Sequence, residues 1–201
     1  MTTLAHLLRQ NHAESPERPA VHLLFSRQPD VTVTYRTLMQ GAAGYARALD
    51  AAGVPPGEVV VLILQHGEAL VYAFFGAILH GAIPSIMPFL TEKLTPDKYR
   101  QDLAALIEVT RPAAIVTYPD FVPEVRAALR PREAPRAERA GGGPVRAVLV
   151  SADIPPAADP DLAAIEDPRS AAEGMPGLRR SPDDVVLLQH SSGTTGLQKG
   201  V

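Results

Sequence analysis

A chain of 201 residues, 46% hydrophobic and 20% charged, has globular composition and enough length for one sizeable core or two small ones. It contains no cysteine, which removes disulfide frameworks and Cys-ligated zinc or iron–sulfur sites. A net charge of −3, no tryptophan and 5% aromatic residues argue against a basic or base-stacking nucleic-acid surface.

The N-terminus lacks a basic region followed by an apolar core, so no signal peptide is read there. Leu4 to Gln10 is a short amphipathic helix. Val21–Phe25 and Val31–Tyr35 are apolar runs separated by Gln28-Pro29-Asp30, which predicts a hairpin. Leu38, Ala42, Tyr45, Ala46 and Leu49 recur at helical spacing, and Gly53 ends the stripe. Val59–Leu64 is a continuous, β-branched-rich run of the kind buried on both sheet faces. From Ala69 to Thr91 there are 23 residues without Asp, Glu, Lys or Arg, long enough to span a bilayer. Gly76, Gly81, Pro84 and Pro88 break that run, so it is read as a buried helix, Glu68–Leu79, a Gly-Ala turn, and a strand or loop near Ile83–Met87. Tyr99, Leu103, Leu106, Ile107 and Thr110 mark a further helix closed by Arg111-Pro112. Ala113–Thr117 is a buried strand, Phe121–Leu129 a helix, Val145–Val150 a strand and Asp184–Gln189 a last buried strand.

Alternation of strands and helices predicts right-handed βαβ units. The expected fold is α/β, an open doubly wound, mostly parallel sheet flanked by helices. Two loops interrupt the rhythm. Residues 131–144 are rich in Pro, Arg, Glu and Gly. Residues 151–182 carry six prolines and six acids against three arginines and are read as a surface excursion. A cytoplasmic protein without a membrane span is the expectation.

The chemistry is concentrated at the end. Ser191-Ser192-Gly193-Thr194-Thr195-Gly196-Leu197-Gln198-Lys199-Gly200 holds four hydroxyls, three glycines and a lysine. Glycines admit close backbone approach, consecutive N–H groups form an anion nest, and lysine adds a point charge. Polyphosphate is the ligand this chemistry suits. The loop is not a Walker A motif, because Gln198 stands five positions after Gly193, and no dinucleotide G-x-G-x-x-G is present. A flexible polar linker is the alternative reading of the same composition.

Leu188 to Val201 resembles the AMP-binding signature of the acyl-adenylate-forming superfamily, whose core is close to S-S-G-T-T-G-x-P-K-G. Gln198 replaces the common proline and restores one backbone N–H. Val33–Leu38 is similar to the family's T-Y-x-x-L opening, Gly53–Val60 to its G-V-x-x-G-D-x-V turn, and Ala77–Pro84 to its A-x-x-x-G-A-x-x segment. The resemblance covers essentially residues 1–201 and implies the N-terminal portion of an adenylation domain. It implies that Ser191, Ser192, Gly193, Thr194, Thr195, Gly196 and Lys199 bind the β- and γ-phosphates of ATP. It also implies Mg2+, a fatty or aromatic carboxylic acid, and CoA or a carrier-protein phosphopantetheine as acyl acceptor. The superfamily's acyl pocket, ribose-binding aspartate, magnesium-side acid and C-terminal lid lie beyond the loop. Hence no catalytic residue and no metal ligand is assigned here, and the isolated chain is expected to be inactive and prone to self-association.

His66, after a strand and before Gly67, is a candidate pocket residue or a structural one. His80 is read as packing, and His190 as either. Ser151 has no visible base, so a hydrolase triad is not supported. The rival functions are a non-catalytic nucleotide- or partner-binding module that retains the loop, and an unrelated phosphotransferase with a convergent loop.

Overall fold

The secondary structure begins with hydroxyl caps. In the computed structural model, which describes residues 2–88, 95–129, 145–158, 175–191 and 199–200, Thr3 accepts from the His6 N–H at the start of α1 (Leu4–Glu14). Strands β1 (Pro19–Leu23) and β2 (Val31–Thr34) form the expected antiparallel hairpin, with Leu23 opposite Val31. Thr34 then caps α2 (Tyr35–Ala51) in a reciprocal box, its hydroxyl accepting from the Thr37 N–H while the Thr37 hydroxyl accepts from the Thr34 N–H. Such caps contribute about 1 kcal/mol each.

The βα units follow. β3 (Val59–Ile63) leads to α3 (Glu68–His80), which stops at Gly81 in the left-handed region with φ of 84°. β4 (Ile83–Ile86) leads to α4 (Pro96–Thr110), capped by the Thr95 hydroxyl with Pro96 in its first turn. β5 (Ala114–Thr117) passes through the single turn Pro119–Phe121 into α5 (Val122–Leu129), and β6 (Ala147–Val150) closes the set. These four strands form one parallel sheet in the order β4-β3-β5-β6. The doubly wound reading of the sequence holds, with the N-terminal hairpin forming a separate two-stranded sheet.

β3 is buried on both faces. Val60, Leu62 and Leu64 pack with Tyr45, Leu49, Ala73 and Ala77 from α2 and α3. Val61 and Ile63 point the other way, into Tyr99, Leu103, Leu106 and Phe121 on the α4–α5 side. Each such aliphatic side chain contributes about 1.5–3 kcal/mol on burial. A third cluster joins α1, the hairpin, α2 and α3.

Helices α2 and α3 touch at backbone distance. A Cβ on Gly76 would lie 2.4 Å from the Tyr45 Cβ and 2.7 Å from the Ala42 carbonyl oxygen. On the opposing helix, a Cβ on Gly41 would meet the Tyr72 ring at 2.3 Å. The described part of the stretch that resembled a membrane span, residues 69–88, therefore divides into helix α3, packed against α2, the turn at Gly81 and strand β4. Among the described residues no helix is long and apolar enough to cross a membrane.

Two expectations are corrected. Asp184–Gln189 is not a buried strand. Ser181–Asp184 is a turn, residues 185–189 are extended outside any ladder, and Val185, Val186 and Leu187 are 59%, 41% and 39% exposed. Apolar sequence alone does not supply the neighbour that would cover it. Residues 151–182 are also not simply a surface excursion. Ala157 and Met175 are both buried in the N-terminal cluster, and the Ala157 N–H donates to the Gln40 carbonyl at 2.8 Å. The intervening residues 159–174, and loop 131–144, lie outside the described residues.

His80 is buried, as the packing reading required, with Nδ1 unpartnered. Burial holds its imidazole below the usual value, against the opposing pull of Asp50 and a hydrogen bond to the Val54 backbone.

Two outcomes are expected from this packing. Gly76→Ala gains about 1 kcal/mol of helix propensity but incurs about 1–3 kcal/mol of overpacking. At a 2.4 Å contact against backbone-tied neighbours overpacking wins, so the urea midpoint should fall. An unchanged midpoint would mean that the helices separate freely. His80 binds its proton less readily when folded. Its contribution to stability is therefore complete above the unfolded imidazole value of about 6.5 and is lost as pH falls below it. Urea midpoints between pH 7.5 and pH 5 should decline, and His80→Gln should flatten that decline.

Candidate phosphate-binding site

A parallel sheet gathers its loops at the carboxyl ends of its strands. Here the chain leaves β3 for α3 on one face and leaves β5 for α5 on the other. Neighbouring loops that diverge to opposite faces open a crevice at the topological switch point, where such sheets bind ligands. Gln65 and His66 follow β3, and Tyr118 follows β5. The Gln65 side chain hydrogen-bonds the Tyr118 hydroxyl across this point. Just below, the Thr117 hydroxyl donates to the Ile63 carbonyl at 3.1 Å. Partial burial raises the Tyr118 phenol, the Gln65 bond lowers it and Asp120 raises it.

His66 is exposed, and its ring meets Phe25 edge-on at 5.0 Å between centroids, which joins the N-terminal hairpin layer to this edge. Ser151 follows β6 and hydrogen-bonds Tyr45, whose phenol burial pushes up to about 12. That partner gives Ser151 a structural role and no general base. Among the described residues no cluster of three or more His, Asp or Glu is placed to hold a metal ion.

The Gly/Ser/Thr loop is approached along the free edge of β4. Val185 and Val186 share the wall of a cavity of about 210 Å³ with Gly81 and Ala82, which precede β4. Three residues on, the Leu188 N–H donates to the Pro84 carbonyl at 3.1 Å. Leu188 is thus tied to the edge strand β4. The chain then enters β7 (His190–Ser191), which pairs antiparallel with β8 (Lys199–Gly200), Ser191 opposite Lys199 and His190 opposite Gly200.

Backbone pairing thus brings Ser191 and Lys199, two of the sequence-predicted residues, together at the stem of a hairpin. Ser192, Gly193, Thr194, Thr195 and Gly196, with Gln198, lie outside the described residues. Sequence reasoning singled out the loop and His66 but missed Gln65 and Tyr118. Their signal was only their place after two buried strands.

Among curated relatives, the chain is similar to 4-coumarate–CoA ligase CCL1 of Humulus lupulus, 28% identical over 193 residues that form 96% of this chain and 31% of that protein. It is 31% identical to sulfoacetate–CoA ligase of Cupriavidus necator over 199 residues, 99% of this chain and 34% of that one. Among solved structures, the fatty acyl-adenylate ligase of L. pneumophila, in complex with acyl adenylate and pyrophosphate, superposes with a TM-score of 0.67 at 22% identity. That match covers 99% of this chain and 30% of the other. The chain therefore spans about a third of the length of the proteins it matches. The family description "AMP-binding enzyme" matches residues 8–201, and with it the strand order of the sheet finds its place: this chain belongs to the family of AMP-binding enzymes.

Proposed function

We propose that this chain is the N-terminal portion of a cytoplasmic, ATP-dependent carboxylic acid–thiol ligase, and that Ser191, Ser192, Gly193, Thr194, Thr195, Gly196 and Lys199 hold the β- and γ-phosphates of ATP. The single observation that carries the reading is the backbone pairing of Ser191 with Lys199, one residue from each end of the signature segment. The carboxylate oxygen of the acid attacks the α-phosphorus of ATP, the bond to the bridging oxygen breaks, and pyrophosphate leaves as acyl-AMP forms. A thiol of CoA or of a carrier-protein phosphopantetheine then takes the acyl group and releases AMP. Relatives named as 4-coumarate and sulfoacetate CoA ligases support an acid substrate and CoA as acceptor. Mg2+ neutralises phosphate charge when bound, and no residue of this chain is assigned to it. The loop's task is positioning and charge stabilisation of the leaving group.

The test separates the half-reactions. The 201-residue chain alone should show only background acid-dependent ATP–pyrophosphate exchange over a panel of fatty and aromatic acids. In a longer protein containing this chain, Lys199→Ala should slow adenylate formation by roughly 30- to 1,000-fold, the equivalent of about 2–4 kcal/mol. Thioester formation from supplied acyl-AMP involves no pyrophosphate and should be far less affected. Equal loss in both steps would assign Lys199 to the fold or the acyl site. Acid-dependent exchange by the 201-residue chain would overturn its inactivity.

We further propose self-association of the isolated chain. Val185, Val186 and Leu187 are exposed on an extended segment beside the sheet-edge strand β4, whose Ile86 is also exposed. Exposed apolar edges template pairing between copies. Light scattering should show mass rising with concentration, and Val186→Lys/Leu187→Lys should lower it. A monodisperse monomer throughout would refute this.

A further inference from the structure

The segment that leads into the phosphate loop is not held by side-chain burial. Val185, Val186 and Leu187 are all exposed and only Leu188 is half-buried, so side-chain burial gives the segment no strong register of its own. Something else must fix how far residues 185–188 slide along β4. The polar contacts upstream identify it.

Residues 175–184 are anchored first. Met175 is buried in the N-terminal cluster, and Gly177 lies against the last turn of α3 so closely that a Cβ there would sit 1.9 Å from the Ile78 carbonyl oxygen. Arg180 follows directly. Its guanidinium donates to the Val185 carbonyl at 3.1 Å and pairs with Asp184, Nε to carboxylate oxygen, at 3.3 Å. The same group lies near the Gly57 turn, where a Cβ would be 3.5 Å from Nη1. Asp184 in turn accepts from the Ser181 N–H at 2.8 Å, while its own N–H donates to the Ser181 carbonyl at 3.1 Å. The turn is thus closed on itself and tied by one side chain to the first residue of the extended segment. Three residues further, Leu188 bonds Pro84.

We infer that Arg180 is a positioning residue for the phosphate loop: by clamping the Val185 carbonyl and Asp184 it sets the register of residues 185–188 along β4, and so the placement of the Ser191–Lys199 hairpin. The inference rests on the phosphate-loop reading above. A planar guanidinium holds both partners at once in fixed geometry, which a lysine ammonium does not. Arg180→Lys therefore retains the charge and loses the fork. The clamp works on placement rather than on fold, because the sheet core does not include residues 180–188.

The experiment uses the 201-residue chain and two readouts. Amide hydrogen exchange, resolved by NMR, follows Leu188 and, as internal control, Val60–Leu62 of β3. Calorimetry follows binding of inorganic pyrophosphate with Mg2+. Arg180→Ala should speed Leu188 exchange about ten-fold or more with β3 protection unchanged, since only local opening is affected. Its pyrophosphate affinity should fall several-fold, with Arg180→Lys intermediate in both. If Arg180→Ala disturbs β3, Asp184→Asn, which keeps an acceptor in the turn but not the ion pair, supplies the comparison. Unchanged Leu188 exchange in the variants would overturn the clamp. Faster Leu188 exchange with undiminished pyrophosphate affinity would overturn its role in placing the loop. If the unsubstituted chain binds no pyrophosphate while Leu188 still responds to Arg180, the clamp stands as a register device and the phosphate-loop reading fails instead.

Discussion

Burial of β3 on both faces is the constraint on which the remaining architecture depends. Its alternate residues enter two different cores, one built with α2 and α3, the other with α4 and α5. A strand covered on both sides forces the connections to divide between the two faces, and that division creates the switch point between β3 and β5. Without helices on both sides the run Val59–Ile63 would expose aliphatic surface that costs several kcal/mol to hydrate. The position of the switch point is thus a consequence of hydrophobic burial within the sheet.

Close approach of α2 and α3 is the second requirement, and glycine supplies it. Gly41 and Gly76 let Tyr72 and Tyr45 lie across the helix interface. The same economy of volume recurs where Gly177 meets the α3 carbonyls beside the left-handed Gly81. These contacts join the N-terminal layer, the parallel sheet and the segment that approaches the signature loop. Small residues here act through what they leave out, and an added methyl group would be felt several elements away.

The approach to the loop is organised differently. Hydrophobic packing holds the sheet, whereas residues 180–188 are held by an arginine fork, a closed turn and one backbone bond to an edge strand. Such contacts are weaker than core packing and allow local opening without loss of the fold. Under the function proposed above, a loop that admits and releases a polyanion benefits from that separation between a rigid sheet and a polar tether. Membership of the AMP-binding enzyme family fits this division of labour.

Sequence alone determined the order and type of the elements from α1 to β6, because glycine stops and apolar periodicity act within a few residues. Gly53, Gly81 and the run Val59–Leu64 each announce their structure locally. It also exposed the signature loop, since four hydroxyls, three glycines and a lysine in ten positions suit few ligands other than phosphate. Tertiary structure decided what sequence distance conceals. The strand order β4-β3-β5-β6, the Gln65–Tyr118 contact across the switch point and the burial of Ala157 and Met175 all join residues far apart in the chain. It also decided that the apolar residues Val185–Leu187 lie exposed and that Leu188 lies half-buried beside β4. Apolarity records a preference for burial, but whether a segment is covered depends on which surfaces the rest of the chain brings against it.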